Sequence, residues 1–215
     1  MKKQNFRIAL GFLAAFVLWT IGIRCIDVQP IGPRGSLVGF AGLNGWVHAF
    51  TGVHMQLYTI TDWLGLVPLA FAVGFAVLGL GQWIGRKSIR KVDTSILVLG
   101  VLYIVTMAVY LAFERFVINY RPVLIEGHLE ASYPSSTTML VLCVMPTAML
   151  QLRRRVKNGV LRKVVTVGIS AFTVFMVVGR LVSGVHWATD VVGGILLSAG
   201  LVMMYDSIIG GKKDE

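Results

Sequence analysis

Six predominantly apolar runs without a charged residue limit what this sequence can fold into. They comprise residues 8–23, 63–85, 94–113, 131–152, 164–179 and 191–205. A helix needs about 20 apolar residues to cross the hydrocarbon core of a bilayer, or about 17 when flanking Arg and Lys side chains reach the headgroups. The runs therefore predict an all-α, polytopic membrane protein with six transmembrane helices. We place the last helix between Trp187 and Ile209, with Asp190 near its outer end.

The composition agrees with a membrane protein. Hydrophobic residues make up 56% of the 215 residues and charged residues only 14%, and the mean hydropathy is +0.76. Soluble domains contain about 25% charged residues, so this chain has too few to cover a water-exposed surface. That excludes a disordered chain, a nucleic-acid-binding module and an ordinary cytosolic enzyme. No repeat or linker interrupts the sequence, and we predict a single membrane domain over residues 1–215.

The positive charges are distributed asymmetrically between the two sides of the membrane. Six spans put both termini on one side, which then holds 15 of the 20 Lys and Arg residues. These are Lys2, Lys3, Arg7, Arg86, Lys87, Arg90, Lys91, Arg153, Arg154, Arg155, Lys157, Arg162, Lys163, Lys212 and Lys213. The other side holds Arg24, Arg34, Arg115, Arg121 and Arg180. Positive charge favours the cytoplasmic side, so we predict that both termini are cytoplasmic.

Two segments near the N-terminus need interpretation. The first run follows three positive charges, as a signal peptide would, but residues 23–27 make a poor cleavage site, so we expect a retained span.

Residues 35–61 contain no Asp, Glu, Lys or Arg. Helical spacing separates the apolar residues Trp46, Phe50, Val53 and Leu57. We interpret this second segment as an amphipathic helix that lies at the membrane interface between the first two spans.

The predicted topology gathers groups suited to phosphate on the outer side. Arg121 and Arg180 lie there against the positive-inside tendency, and the fork of a guanidinium matches phosphate oxygens. Ser135 and Ser136 open the fourth span, where backbone N–H groups bind anions. Serines in such a position are more commonly simple helix caps, so it is the combination with the arginines that indicates a phosphate site.

A histidine and an aspartate complete this outer cluster. His186 and Asp190 have i, i+4 spacing, so on a helix they share a face. The carboxylate can then bind one ring nitrogen, which fixes the tautomer and leaves the other nitrogen free to attack. A single histidine near a span end is more often an interfacial residue, whereas a carboxylate inside a span is costly without a partner. Together with the arginines, the pair predicts a phosphoryl-transfer site.

Three sequence blocks on the outer side form a recognisable signature. They read ERFVINYRP at residues 114–122, PSST at residues 134–137 and GRLVSGVHWATD at residues 179–190. They resemble the blocks KxxxxxxRP, PSGH and SRxxxxxHxxxD of the type 2 phosphatidic acid phosphatases, also called the lipid phosphate phosphatase superfamily. The order of the blocks and the six-span layout agree, and the resemblance covers residues 46–208.

The resemblance implies a role for each matching residue. His186 would be the nucleophile that forms a phosphohistidine, and Asp190 would orient it. Arg121 and Arg180 would hold the phosphate, together with the serines that open the fourth span. Neither a metal nor another cofactor would be required. The substrate would be a lipid phosphate or diphosphate of a bacterial plasma membrane, reached from the extracytoplasmic face; undecaprenyl diphosphate, phosphatidylglycerophosphate and phosphatidic acid are substrates of the family.

Three positions depart from the family blocks. Glu114 replaces the lysine of the first block, Thr137 the histidine of the second and Gly179 the serine of the third. The missing histidine is the family's general acid, and such catalysis contributes about 10²–10⁴-fold. Thr137 is a weak acid, and His128 in the outer loop is the other candidate for the proton donor. Glu114 brings a negative charge that is repulsive unless it pairs with Arg115 or Arg121 or is protonated.

Three functions remain open from these residues. The first is a phosphatase, in which a diphosphate substrate with its better leaving group tolerates the loss of the acid. The second is a transferase that hands the phosphoryl or head group to another acceptor. The third is a protein that binds or moves phospholipid without turnover. All three imply lipid partners in the membrane and none implies nucleic acid.

Overall fold

Eight α-helices form most of residues 2–210, the part of the chain that this computed structural model describes. They are α1 (Lys2–Cys25), α2 (Ala41–Thr51), α3 (Met55–Leu64), α4 (Leu66–Arg86), α5 (Thr94–Arg115), α6 (Ser136–Arg155), α7 (Gly159–Val182) and α8 (Ala188–Ile209). Short 3₁₀ turns occur at Pro33–Gly35 and Ile89–Lys91. Isolated bridges, but no β-strand, occur within residues 2–210. Lys212 and Lys213, assigned above to the cytoplasmic side, lie outside the described residues.

Five segments of the described chain are long and apolar enough to cross a membrane. They are Lys3–Cys25, Met55–Arg86, Thr94–Arg115, Gly159–Val182 and Ala188–Ile209. The predicted fourth span, α6, is not among them although it has 20 residues. Three arginines in its last turn lower its hydropathy, and so do four buried polar side chains, Thr137, Thr138, Thr147 and Gln151. Because α6 packs against α4, α5, α7 and α8, these side chains contact protein. A count of six spans stays a prediction.

The second span begins earlier than the sequence predicts. The charge pattern predicts an interfacial helix up to Thr61 and a span after Asp62, but α3 runs through both residues to Leu64. α4 follows directly after Gly65. Pro68 lies in the first turn of α4 and has no N–H to donate to the Leu64 carbonyl, which explains why one continuous helix does not form. The candidate span Met55–Arg86 therefore consists of two helices, α3 and α4, that meet at Gly65.

The helix α2 is the remaining part of the predicted interfacial segment. Gly52 separates it from α3 with a φ of +69°, in the left-handed region that glycine adopts readily. The stripe from Trp46 to Leu57 therefore does not form a single helix face. Trp46 and Phe50 still project from α2, with 67% and 81% of their surfaces exposed and their rings stacked. The location of α2 at a membrane interface stays a prediction.

The helix α8 is the most buried of the five candidate spans. It packs against α1, α5, α6 and α7. Close packing near its N-terminal end depends on Gly193, since a Cβ atom there would lie 2.4 Å from the Tyr133 ring. Small residues permit such approaches between membrane-embedded segments. The position of Tyr133, just before α6, is thus fixed by the surface of α8.

The loop between α5 and α6 is held against the rest of the bundle. This loop, residues 116–135, accepts a hydrogen bond of 2.7 Å at the Val117 carbonyl from Arg24, near the end of α1. At its other end, Tyr133 is buried and its hydroxyl lies 2.6 Å from the Thr20 hydroxyl of α1. These anchors fix a loop that would otherwise be free to move.

The opposite end of the bundle is joined by an ionic cluster. Asp93, at the N-cap of α5, lies 2.9 Å from Arg86 of α4 and 3.0 Å from Arg155 of α6. The three helices therefore meet at the end that carries the dense basic residues, and the loop of residues 116–135 lies at the other end.

Candidate active site

The imidazole of His186 lies at the centre of a buried polar cluster. It belongs to the turn of residues 183–187 that joins α7 to α8, and only 3% of its surface is exposed. Side chains from the loop before α6, from the last turn of α7 and from the first turn of α8 surround it. The topology thus brings together segments that are about 70 residues apart in the chain.

Two guanidinium groups face one nitrogen of this ring. Nη1 of Arg121 lies 3.2 Å and Nη2 of Arg180 lies 3.4 Å from Nε2 of His186. A guanidinium has donors and no acceptor, so Nε2 can only accept in these contacts. The lone pair of Nε2 is therefore directed toward the two cations that the sequence predicts to hold phosphate.

A serine lies on the other side of the ring. Oγ of Ser132 is 3.0 Å from Nδ1 of His186 and donates to Oδ2 of Asp190 at 2.5 Å. The direct distance from Nδ1 to Oδ2 is 3.8 Å, beyond hydrogen-bond length. The sequence predicts a direct contact on one helix face, but α8 begins only at Ala188, so the two residues do not share a helix. The hydroxyl of Ser132 occupies the space between them.

The carboxylate of Asp190 is fully buried and held by three hydrogen bonds. Oδ2 accepts from the backbone N–H of Trp187 at 2.9 Å in addition to Ser132, and Oδ1 accepts from Asn119 at 3.2 Å. Trp187 is the N-cap of α8 and Asp190 is its third residue, so the carboxylate also caps the helix. Its negative charge is favourable at a helix N-terminus.

The surroundings keep His186 neutral. Burial lowers the pKa of His186 well below its ordinary value near 6.5, and the charges of Arg121 and Arg180 lower this pKa further. Hydrogen bonding with Ser132 acts in the opposite direction. An unprotonated imidazole is the form that can act as a nucleophile or a base.

The guanidinium of Arg180 is buried but loosely bound. Nη1 lies 3.4 Å from Oγ1 of Thr61 and 3.7 Å from Oδ1 of Asp62, and the guanidinium carbon lies 4.8 Å from the centre of the Tyr58 ring. Nε is buried and makes no hydrogen bond. Only 1% of the surface of Arg180 is exposed, so donors of a buried cation remain available for an anionic ligand.

The guanidinium of Arg121 has a carboxylate partner at its outer side. Its Nε lies 3.0 Å from Oε2 of Glu130, whose side chain is 42% exposed. Arg121 is itself buried and lies 5.9 Å from the ring centre of Tyr58. Tyr58 therefore contacts both cations of the cluster.

Two cavities adjoin this cluster. A polar cavity of about 470 Å³ is lined by Arg121, Glu130, Glu114, Tyr110 and Ser136, among others. An apolar cavity of about 320 Å³ runs between α4, α5 and α6, and its lining includes Leu69, Ala72, Met107, Leu140 and Val144. Tyr110 and Ser136 line both cavities, so the two spaces are adjacent.

The serines and the threonine of the second block have separate positions. Ser135 is the N-cap of α6, its backbone N–H donates to the Asp190 carbonyl at 3.1 Å, and its buried hydroxyl makes no hydrogen bond. Ser136 faces the two cavities, whereas Thr137 lines only the apolar one of the two. Ser135 is thus hydrogen-bonded to the backbone of Asp190. Ser136 is the residue of this block that lines the polar cavity.

The remaining predicted residues lie farther out. Glu114 is exposed and lines the polar cavity together with Arg121, whereas Arg115 is exposed and lines neither cavity. His128 is exposed in a tight turn, where its backbone pairs with Ile125, and it also lines neither cavity.

Sequence reasoning missed Ser132, Asn119, Tyr58 and Glu130. Ser132 lies just before the second block and Asn119 lies inside the first block, so a search around the blocks would have found these two. Tyr58 lies in a segment interpreted as interfacial, and no pattern distinguishes it. Within residues 2–210, no group of three or more His, Cys, Asp or Glu side chains is arranged to hold a metal ion.

Comparison with known proteins identifies the relatives of this chain. The family model of the PAP2 superfamily matches residues 114–209, which contain all three sequence blocks. The crystal structure of the first transmembrane PAP2-type phosphatidylglycerolphosphate phosphatase from Bacillus subtilis superposes with a TM-score of 0.57 at 18% sequence identity. The match covers 93% of this chain and 94% of that one. No curated protein matches the chain.

These findings agree with the predicted family resemblance and confirm the predicted all-α membrane fold. The family match covers the segments that carry Arg121, Arg180 and His186, and the structural match covers almost the whole chain. The chain therefore has an all-α membrane fold, and its residues 114–209 are similar to the PAP2 superfamily.

Proposed function

We propose that this protein is a lipid phosphatase that hydrolyses lipid phosphates or diphosphates through a phosphohistidine intermediate on His186. The observation that carries the proposal is the meeting of an unprotonated Nε2 with two buried guanidiniums, at 3.2 and 3.4 Å. Such a site provides a nucleophile and a charge-complementary pocket for the oxygens of a phosphoryl group.

The proposed first step forms a bond between Nε2 and phosphorus. A bound phosphate would insert between the ring and the guanidiniums of Arg121 and Arg180, with the serines at the start of α6 as further donors. As the N–P bond forms, the P–O bond to the lipid breaks and its electron pair leaves on the lipid oxygen. The arginines stabilise the charge on the transferring oxygens. No metal is needed for this charge stabilisation.

The proposed second step releases inorganic phosphate. Water attacks phosphorus, the N–P bond breaks and His186 returns to its neutral form. The leaving oxygen of the first step needs a proton unless it is a phosphate oxygen of low basicity, so a lipid diphosphate is the substrate that depends least on an acid. The candidates for the acid are Thr137 and His128. Glu114 and Glu130 line the polar cavity and are further carboxyl groups near Arg121.

We further propose the orientation of the substrate and of the protein. The polar cavity is suited to a phosphorylated headgroup and the apolar cavity to part of a lipid chain. The charge bias of 15 to 5 supports a bacterial plasma membrane location with cytoplasmic termini and an extracytoplasmic site. Phosphatidylglycerophosphate, on which the similar Bacillus subtilis protein acts, is one candidate substrate beside undecaprenyl diphosphate and phosphatidic acid.

A protein that binds phospholipid without turnover is the second candidate. The observation that favours it is that His128 lines neither cavity and that Thr137 stands where the family has its acid. A transferase that passes the phosphoryl or head group to a second lipid is the third alternative, and it differs from the phosphatase only in the acceptor of the second step.

A phosphate-release panel tests the proposal. Purified protein in detergent is given diphosphate and monophosphate lipids, and free phosphate is measured with His186→Ala as the blank. We expect release from at least one lipid that His186→Ala abolishes. Release from none, together with retained lipid binding, would favour the binding protein. Labelled phosphate that appears in a second lipid instead of in solution would indicate the transferase. Addition of a chelator should leave the rate unchanged if the arginines alone supply the positive charge.

A further inference from the structure

We infer that Ser132 is a positioning residue that links Asp190 to His186 and, together with the two guanidiniums, holds the imidazole in the tautomer with the proton on Nδ1. The inference deepens the proposed function and rests on it for its effect on rate. Ser132 lies outside the three sequence blocks, and it contacts neither cavity that adjoins the cluster.

The hydrogen bonds of the cluster assign each proton. The carboxylate of Asp190 can only accept, so the single hydroxyl proton of Ser132 is donated to Oδ2. Oγ of Ser132 must then accept at 3.0 Å, which puts a proton on Nδ1 of His186. Independently, both guanidiniums donate toward Nε2, which must be unprotonated. The two sides of the ring therefore require the same tautomer, and this is the one with a free lone pair on Nε2.

The hydroxyl is held where this chain of bonds needs it. Only 2% of the surface of Ser132 is exposed. Its backbone N–H donates to the Asn119 carbonyl at 2.9 Å, and the Asn119 side chain donates to Asp190 at 3.2 Å. The next residue, Tyr133, is packed against α8 at Gly193. Serine, carboxylate and ring are thus fixed by shared contacts, whereas Asp190 alone is 3.8 Å from the ring, too far for a hydrogen bond.

The link has a consequence for the reaction. When Nε2 bonds to phosphorus, the ring acquires a positive charge, and the proton on Nδ1 carries part of it. Oγ of Ser132 accepts the hydrogen bond from Nδ1–H and donates its own proton to Asp190. The carboxylate therefore stabilises the positive ring through the serine hydroxyl. The other charged groups around the ring are Arg121 and Arg180 at Nε2, with Glu130 and Asp62 behind them. Asp190 is thus the carboxylate that lies on the Nδ1 side, and it reaches the ring through Ser132.

The first measurement is the tautomer itself, which needs no turnover. Nitrogen NMR of protein labelled at histidine distinguishes a protonated from an unprotonated ring nitrogen, and the signal of His186 is the one absent from His186→Ala. At neutral pH we expect a proton on Nδ1 and none on Nε2 in the wild type. In Ser132→Ala the guanidiniums still disfavour a proton on Nε2, so we expect the same tautomer with a changed chemical shift of the protonated Nδ1, because its hydrogen bond is lost. A wild-type proton on Nε2, or an unchanged spectrum in Ser132→Ala, overturns the inference.

The second measurement separates positioning from folding. We expect Ser132→Ala to lower kcat by about 10–100-fold with KM nearly unchanged, because outer contacts that orient a reactive group have effects of this size. Ser132→Thr keeps the hydroxyl and should recover most of the rate, whereas Ser132→Cys, of similar size but a poorer acceptor, should not. Ser198→Ala removes another buried serine hydroxyl, 3.3 Å from the Met139 carbonyl, and serves as the matched control with wild-type kinetics.

The two hypotheses fail in different ways. If no lipid phosphate is hydrolysed by the wild type, the proposed phosphatase fails, and the NMR measurement still decides whether Ser132 accepts a hydrogen bond from Nδ1 of His186. If the wild type turns over and Ser132→Ala has unchanged kcat, the link fails and the phosphatase stands. If Ser132→Ala does not fold, the kinetics of Ser132→Cys and the wild-type NMR spectrum test the same link between Ser132 and His186.

Discussion

The two arginines around His186 have two effects on the proposed chemistry. As cations they bind and stabilise the transferring phosphoryl group, and they also lower the pKa of the imidazole on which that group would be placed. The second effect keeps the nucleophile unprotonated in acidic medium. It also makes the ring less basic, so that the bond to phosphorus is easier to break when water attacks. Burial, the largest cause of the lowered pKa, adds to both.

The pH dependence of activity should reveal this coupling. The reactive form of His186 is unprotonated, so activity falls as the pH decreases through its pKa. Because this pKa is lowered, we expect the acidic limb of kcat/KM in the wild type to lie below pH 6.5, the ordinary value for histidine. Arg121→Gln removes one nearby positive charge, raises the pKa and should move the limb to higher pH, besides lowering kcat/KM by about 10²-fold or more.

A matched variant checks that this shift is local. Arg34→Gln removes an outer-side arginine whose exposed side chain donates to the Gly127 carbonyl at 3.0 Å, away from the ring. Both variants and the wild type are compared with one substrate, so that the ionisation of the substrate cancels. A limb at the same pH in Arg121→Gln and in the wild type would mean that His186 does not govern the profile.

Sequence reasoning at the residue level found the groups with unusual chemistry but not the connections between them. Arg121, Arg180, His186 and Asp190 are conspicuous because charged or titratable residues are rare near span ends on the outer side. Ser132 is an ordinary serine in the sequence, and its role depends on a loop that folds back onto α8. The spacing of His186 and Asp190 predicts a contact on a helix, but the helix starts two residues after the histidine.

Close packing between α8 and the loop before α6 determines the position of the site. A Cβ atom at Gly193 would lie 2.4 Å from Cε2 and 2.8 Å from the hydroxyl oxygen of Tyr133. The Tyr133 ring cannot easily move, because it stacks on Phe16 and meets Phe113 edge-on. We therefore expect Gly193→Ala to destabilise the protein by about 1–3 kcal/mol, as overpacking does, and to displace Ser132 and reduce activity.

Another helical glycine provides the control for this prediction. Gly74 in α4 has no atom within 4 Å of a built Cβ, so Gly74→Ala should leave activity unchanged and the melting temperature equal or slightly higher. Thermal unfolding in detergent and phosphate release are measured for both variants. Equal behaviour of Gly193→Ala and Gly74→Ala would show that contact with Tyr133 does not position the site.

The charge-free runs predicted the helices correctly where the charged residues that flank a run lie near the ends of a helix. Runs beginning at residues 8, 94, 164 and 191 correspond to α1, α5, α7 and α8. The prediction failed at Asp62, which the charge pattern treats as the boundary of a span, whereas α3 continues through it and places it 3.7 Å from Arg180. A charged residue marks the end of a membrane span only when no oppositely charged residue pairs with it in the folded protein. Arg180 is 118 residues away from Asp62, so the sequence alone does not reveal this pair.

The whole molecule has two chemically different ends. One end carries the cluster around His186, and the other carries Arg86, Asp93 and Arg155 together with most of the basic residues. The positive-inside tendency predicts that the basic end faces the cytoplasm. The two thiols of the chain permit a direct test, because Cys25, the last residue of α1, is exposed and Cys143 is buried.

We expect a membrane-impermeant maleimide to label the wild type in intact spheroplasts through Cys25, at the end of the bundle that carries the site. Cys25→Ser should abolish labelling, since Cys143 is inaccessible. Arg90→Cys in that background introduces a thiol on the exposed turn between α4 and α5, at the basic end, and should be labelled only after the membrane is permeabilised. The reverse pattern would put the cluster on the cytoplasmic side and, with it, the headgroup of any lipid substrate in the inner leaflet.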